Sequence, residues 1–510
     1  MASSILPLSL SLFFLLPAVS FAAEPLHFTL SRRSGHHDMD YYASAAQHLR
    51  GKYGRTKPVK GRRATAGISM VNQQSDASYF ATVNIGTPIG PTRVLRPAAA
   101  LRLMVVVPFN VILDTGSSDL WVADSSCTTC NRVTPVFEAS ASTSLQLSAS
   151  GTNIRYGSGE VAGQIGRDTV SMGGFTVEQQ TFLAVDDLTT GLLDGSVSGI
   201  LGLAFSTIAS TRAIPFWQTL AQDGQLTAPE MSFYMTRFRD VRTANVEEPG
   251  GIFTLGGTNS SLFTGEIEFL DIPVDPPTFW LLSLSAVTVQ GKKVPISSTL
   301  SLSAIDTGTT LIGGPTSDVE AIWAAVPGSQ PVPTMQGFFS FPCNTDVAVT
   351  MSFGGKSWPI NTADMNLGRL AQGSSQCVGG IFDLSLGSNI VSGDGNPNWV
   401  VGATFLKNVY SVYRSNPPSI GFAQLSDAVG GSGTTPSLPT SSSDAGLTTS
   451  SITLDAPLAT LSSPTSSGAP GAGPTDSNGS AVRNGGSSNK AVAGTLLVSA
   501  LTSLFVAWLL

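Results

Sequence analysis

The 510-residue chain predicts an all-β protein: two β-lobes related by a pseudo-two-fold axis, with few and short helices. Three observations carry that expectation. Gly numbers 53 while charged residues make up only 12%, a composition of turns and strands more than of solvated helices. From Tyr79 to about Leu425, short β-branched and aromatic runs are punctuated by Gly, Asn, Asp and Pro, which is the grammar of strands and hairpins. Within that span, one local pattern of residues occurs twice.

The elements can be justified in chain order. Ile5 to Phe21 is an apolar run ending in Ser20-Phe21-Ala22, so residues 1–22 read as a secretory signal peptide cleaved after Ala22, although the usual basic flank is missing. Residues 23–63 form a basic segment closing on Lys60-Gly61-Arg62-Arg63, a dibasic site for a processing protease and hence a propeptide. Strands follow, among them Tyr79–Ile85, 163–170 and Ser411–Tyr413, with short helical stretches at 214–223 and 317–325. The lobes are placed at 64–258 and 259–426. Residues 427–484 are dominated by Ser, Thr, Gly, Pro and Ala and read as an O-glycosylated stalk that cannot bury a core. The last stretch, 485–510, ends in the apolar run from Ala491 to Leu510. That run is long enough to span a bilayer, but no Lys or Arg follows it. With Asn484 or Asn478 among small residues upstream, it matches a GPI-attachment signal better than a transmembrane span.

Charge narrows the chemistry. The net charge of −7 argues against a nucleic-acid binder. Nine of the 27 Lys and Arg but only three of the 34 Asp and Glu lie in residues 1–63, so the mature chain is more acidic than the whole. All four histidines, His27, His36, His37 and His48, lie in the same stretch. Without it the protein has no imidazole, which excludes Ser-His-Asp and Cys-His catalysis and every His-ligated zinc site. No metal and no cofactor is expected. The remaining chemistry must run on carboxylates, hydroxyls or amines.

The duplicated pattern supplies the carboxylates. Val111-Ile112-Leu113-Asp114-Thr115-Gly116-Ser117-Ser118 is echoed by Ser303-Ala304-Ile305-Asp306-Thr307-Gly308-Thr309-Thr310. Each copy has an apolar pair and a Gly downstream: Ile200-Leu201-Gly202 and Val400-Val401-Gly402. Two carboxylates brought close together share one proton, so one can take a proton from water while the other donates to a carbonyl oxygen.

On these residues the chain resembles the pepsin-like aspartic proteases over about residues 79–425. Leu120-Trp121-Val122, Gly199–Ala204, Val401–Leu406 and the flap-like Ile154-Arg155-Tyr156-Gly157-Ser158-Gly159 strengthen the resemblance. With the anchor signal, it is most similar to the fungal GPI-anchored, yapsin-like branch. The resemblance implies a bilobal pepsin-like fold, a catalytic pair of Asp114 and Asp306, and an acidic working range. Thr115 and Thr307 would tie the two loops together. Gly116 and Gly308 would let backbone approach the carboxylates, and Ser117 and Thr309 would orient them from outside. Tyr156, Gly157 and Ser158 would form the flap, with Tyr156 bonding toward Trp121. Ile112, Val197 and Ile200, with Leu192 beside them, would line an apolar pocket next to the scissile bond. Cys127-Thr128-Thr129-Cys130 read alone is also compatible with half a zinc site or a redox motif. The secretory address and the resemblance favour the pairs Cys127–Cys130 and Cys343–Cys377, one per lobe. Asn259-Ser260-Ser261 is a glycosylation acceptor.

The expected function is a cell-surface or cell-wall aspartic endopeptidase acting as a monomer on protein or peptide substrates. At neutral pH the propeptide, through Arg32, Arg33, Arg50, Lys52 and Lys57, would pair with the acidic cleft. Two rival readings are a silent homologue that binds at the surface and a structural wall protein; intact Asp114, Asp306, Ser117 and Tyr156 count against both. One departure stands out. Where the family makes a tight turn, residues 89–108 intervene, either a misplaced exon boundary or a surface excursion with an exposed apolar run.

Overall fold

The computed structural model describes residues 63–87, 108–156, 159–239, 241–386 and 396–432. The signal peptide, the propeptide before Arg63, the stalk beyond residue 432, both anchor candidates, and Gly157 and Ser158 lie outside the described residues, as do residues 88–107. The architecture is mostly strands, with three short α-helices among the described residues: Phe216–Gln222, Thr316–Ala324 and Ala403–Leu406. The first two fall on the stretches expected to be helical.

The duplicated sequence folds into duplicated topology. In the N-terminal lobe Pro108–Asp114 runs parallel to Val197–Gly202, which is antiparallel to Leu120–Ala123, which runs parallel to Phe175–Leu188. The C-terminal lobe repeats this order with Leu302–Ile305, Trp399–Val401, Ile312–Gly314 and Ile381–Asp383. Strands sandwiched in this way are covered on both faces, so they read as continuous apolar runs instead of alternating ones. Val111, Leu113 and Ile305 are accordingly all buried. The carboxylate-bearing loop leaves the end of the first strand in each lobe.

The two lobes share a platform that the sequence did not announce. Six neighbouring strands run in the order Phe263–Asp271, Pro418–Leu425, Tyr410–Ser415, Glu230–Met235, Glu247–Leu255 and Ala66–Gln73. Three come from each side of the expected lobe boundary, which falls in the connection between Leu255 and Phe263. Beneath the loops, Phe205, Trp217 and Trp280 pack with ring centroids 4.4–5.6 Å apart. Their indoles donate to the carbonyls of Ala204 (3.0 Å) and Leu203 (2.8 Å). The N–H groups of Leu203 and Ala204 in turn donate to the carbonyls of Asp114 and Ser117. Aromatic packing is thus passed directly into the position of the first loop.

A buried ionic network also joins the lobes. Lys407 Nζ lies 2.7 Å from both Asp76 Oδ2 and Asp364 Oδ1, and Arg237 lies 2.7 Å from Asp364. Asn72 and the N–H groups of Phe238 and Arg239 complete the shell of Asp76. Asn408 donates to Asp364. Both disulfides form as expected, Cys127–Cys130 and Cys343–Cys377.

On either side of the expected insertion the two strands pair antiparallel. Pro108, assigned above to the intervening stretch, is the first residue of its strand and pairs with Asn84. Thr87 is held by Ser142 Oγ and by the N–H of Thr143. The ladder that delivers Asp114 is therefore fixed at its outer end by residues on both sides of 88–107.

Candidate active site

The two Asp-Thr-Gly loops meet face to face. Thr115 and Thr307 cross: each side-chain oxygen accepts the other's backbone N–H (2.9 and 3.1 Å). Each hydroxyl also donates into the opposite strand, Thr115 to Ile305 O (2.8 Å) and Thr307 to Leu113 O (2.6 Å). Four hydrogen bonds between buried groups hold the loops at a fixed separation, in a medium where leaving any of them unmade is expensive.

Above this grip the carboxyls of Asp114 and Asp306 come within hydrogen-bonding reach of each other. The N–H of Gly116 donates to Asp114 Oδ1 and that of Gly308 to Asp306 Oδ1, both at 2.8 Å. A side chain at either glycine is impossible: a Cβ on Gly116 would stand 2.6 Å from the Asp306 carboxyl carbon, and one on Gly308 would stand 2.3 Å from Asp114 Oδ1. On the outer side, Ser117 Oγ donates to Asp114 Oδ2 and Thr309 Oγ1 donates to Asp306 Oδ2 (2.6 Å). Burial, and then the negative charge of Asp306, push the Asp114 carboxyl well above the usual carboxylate range. Hydrogen bonds from Ser117 and Gly116 pull the other way without winning. The Asp114 carboxyl therefore keeps its proton above the usual carboxylate range.

The strands expected to carry the flap are Gln146–Tyr156 and Gly159–Met172, which pair antiparallel. Trp121 Nε1 donates to Tyr156 Oη at 2.7 Å, which leaves the phenol proton free to be donated elsewhere. Burial and the charge of Asp114 raise the Tyr156 phenol well above its ordinary value, so it stays protonated. Ile112, Val197 and Ile200 join Trp121 and Ile154 in one apolar cluster, with Tyr156 and Leu192 packed against it. Sequence reasoning missed Leu193 and Leu188 in this cluster; the Gly191-Leu192-Leu193-Asp194-Gly195 turn was the signal for the first. It also missed the apolar cluster of Leu311, Val332, Phe338, Val378 and Phe382 in the C-terminal lobe.

Asn259 opens an Asx turn, its Oδ1 accepting the N–H and hydroxyl of Ser261. A separate cavity of about 440 Å³, lined in part by Arg63, Phe205, Gln218, Leu226 and Asn416, shares no residue with the carboxylate loops. Among the described residues, no group of three or more His, Cys, Asp or Glu is placed to hold a metal ion.

A bilobal β-fold bringing two equivalent Asp-Thr-Gly loops together under a hairpin defines the aspartic peptidases. Comparison with known proteins agrees: residues 106–425 match the eukaryotic aspartyl protease family, and the chain belongs to it. It is 41% identical to Major aspartyl peptidase 1 of Cryptococcus neoformans var. grubii, over 74% of each chain. It is 33% identical to an aspartic protease of Phaffia rhodozyma, over 72% of this chain and 81% of that one. Human cathepsin D is 28% identical over 83% of this chain and 98% of its own length. The protein is an aspartic-type endopeptidase.

Proposed function

We propose that Asp114 and Asp306 are the catalytic pair of an endopeptidase that works in acid at the outer face of the cell. The observation that carries this reading is the mutual reach of the two carboxyls, one of them held protonated by burial and by its neighbour. In that state the ionised carboxyl takes a proton from a water lying between the two. The protonated carboxyl donates to the carbonyl oxygen of the scissile bond as the tetrahedral intermediate forms. Thr115, Gly116, Ser117, Thr307, Gly308 and Thr309 fix the geometry so that no reorganisation is needed as charge moves. Tyr156, with Gly157 and Ser158, closes over the peptide. Ile112, Val197, Ile200 and Leu192 receive an apolar or aromatic side chain beside the cut.

The rest of the reading comes from sequence features, most of them outside the described residues. The apolar leader supports entry into the secretory route, and Lys60-Gly61-Arg62-Arg63 supports release of a propeptide. The Ser/Thr-rich stretch and the apolar C-terminal run support a stalk and GPI anchor of the yapsin-like kind, with the mature monomer on the membrane or in the cell wall and a glycan on Asn259. Among the described residues no helix is long and apolar enough to cross a membrane. The test is a peptidase assay on the secreted protein across pH. Cleavage in acid that pepstatin abolishes and chelators spare supports the reading, and chelator-sensitive cleavage contradicts it. Release from membranes by a phosphatidylinositol-specific lipase supports the anchor; retention after confirmed lipase action, with an acylated inositol excluded, points to a transmembrane tail.

A further inference from the structure

The return strand of the flap and the turn that lines the apolar pocket meet at one residue, Thr189. The strand Phe175–Leu188 pairs with Gly159–Met172, Leu188 facing Val161, so the next rung of the ladder joins Thr189 to Glu160. Half of that rung is ordinary: the N–H of Thr189 donates to Glu160 O at 2.9 Å. The other half is not. The N–H of Glu160 donates to the Thr189 hydroxyl at 2.9 Å and not to its carbonyl. That carbonyl accepts the N–H of Leu192 at 3.1 Å, closing the turn that carries Leu192 and Leu193 onto the pocket cluster. The hydroxyl thus completes a rung that the backbone has given up in order to build the pocket wall.

Two further contacts make the junction tight. Gly159, at φ +148°, lets the flap come down on Thr189; a Cβ there would stand 2.6 Å from Thr189 Cβ. On the far side, Thr129 Oγ1 donates to Asp187 Oδ1 (3.0 Å) and accepts the N–H of Leu188 (2.9 Å). Thr129 itself sits inside the small loop closed by Cys127–Cys130, so the strand end just before Thr189 is anchored. The Leu192 turn and the return strand of the hairpin are thus hydrogen-bonded to each other through Thr189.

We propose that Thr189 is a positioning residue that ties closure of the flap to occupation of the apolar pocket by the substrate side chain beside the cut. The proposal rests on the peptidase reading and deepens it. A large apolar side chain pressing on Leu192 and Leu193 sets the Thr189 carbonyl, hence its hydroxyl, hence Glu160 and the flap over the scissile bond. The residue contributes to specificity without touching the reacting atoms.

The test compares wild type, Thr189→Val, Thr189→Ser and, as control, Asp114→Asn. Two peptides are used that differ only in Phe or Ala on the N-terminal side of the scissile bond. For the Phe peptide, Thr189→Val is expected to raise KM about fivefold, the equivalent of one ordinary hydrogen bond, with kcat within about twofold. The Phe-over-Ala preference in kcat/KM should fall by about the same factor, and Thr189→Ser should restore both. Hydrogen exchange at the Glu160 amide, read without any substrate, should speed up about fivefold in Thr189→Val and stay at the wild-type rate in Thr189→Ser. Unchanged preference and unchanged exchange in Thr189→Val would overturn the proposal. An equal loss on both peptides would also overturn it, because the role would then be structural only. If wild type shows no cleavage above the Asp114→Asn control, the peptidase reading has failed, and the exchange measurement still decides whether Thr189 holds the flap.

Discussion

The molecule buries two pairs of aspartates and treats them in opposite ways. Asp76 and Asp364 are joined through Lys407, and Arg237 adds a second cation on Asp364. Burial alone would push both carboxyls up, but the charge of Lys407, joined by Arg237 at Asp364, and the surrounding hydrogen bonds outweigh it and hold both below the ordinary value. Asp114 and Asp306 have hydrogen-bond donors but, among the described residues, no cation against them, so burial and the charge of Asp306 win and Asp114 is raised. The same residue type at similar depth becomes a fixed ionic rivet in one place and a proton reservoir in the other. What differs is whether a lysine stands between the carboxyls. Signs of stability against pH follow. The depressed pair stabilises the fold above the unfolded carboxylate value of roughly 3.9 and loses that contribution only as pH falls through its lowered folded values. The raised carboxyl opposes folding increasingly as pH climbs from the unfolded value to its own.

The largest effect expected is on activity. Asp114→Asn or Asp306→Asn should each lower kcat at least about 100-fold, as loss of the general acid–base pair requires, while circular dichroism and elution volume stay those of wild type. Near-normal turnover in either variant would break the comparison at its catalytic end.

The ionic end is probed by Lys407→Met, which leaves Asp76 buried without a cation and Asp364 with Arg237 alone. It should lower the unfolding free energy at neutral pH by about 3–5 kcal/mol in denaturant titrations, and the deficit should shrink as the titrations are repeated in acid, where the carboxylates neutralise. A deficit independent of pH would mean that the lysine acts through packing alone.

A smaller effect distinguishes the two pairs by sign. Asp114→Asn removes a carboxyl whose ionisation opposes folding, so it should raise the melting temperature at neutral pH and leave it near wild type in acid. Asp364→Asn should lower it at neutral pH. The smallest effect is expected from Ser117→Ala. Its hydroxyl lowers the Asp114 carboxyl, so its loss should move the basic limb of the kcat/KM profile to higher pH, with turnover reduced only modestly. A shift to lower pH would place Ser117 on the other side of the balance.

How much of this was legible in the sequence follows from the range of each interaction. The carboxylate loops were legible because each is a short contiguous motif written twice, with a glycine partner at a similar distance downstream. Trp121 and Tyr156 were legible because each sits in a short run characteristic of the family, and the cysteines because resemblance assigned one pair to each lobe. The ionic network was not, since Asp76 and Lys407 are 331 residues apart and neither stands in a motif. Thr189 was invisible for another reason: its importance comes from a backbone carbonyl turning away, which no residue identity records. The shared six-stranded platform escaped because strands from either end of the chain alternate like any others until pairing is known.

The account rests on a carboxyl pair that shares one proton, and the pH profile of pepstatin-sensitive cleavage tests it most directly. With the secreted wild-type chain and one peptide substrate, kcat/KM should be bell-shaped. The acid limb should mark protonation of the second carboxyl, and the basic limb, above the usual carboxylate range, loss of the shared proton. Cleavage that rises steadily toward neutral pH and ignores pepstatin would contradict it.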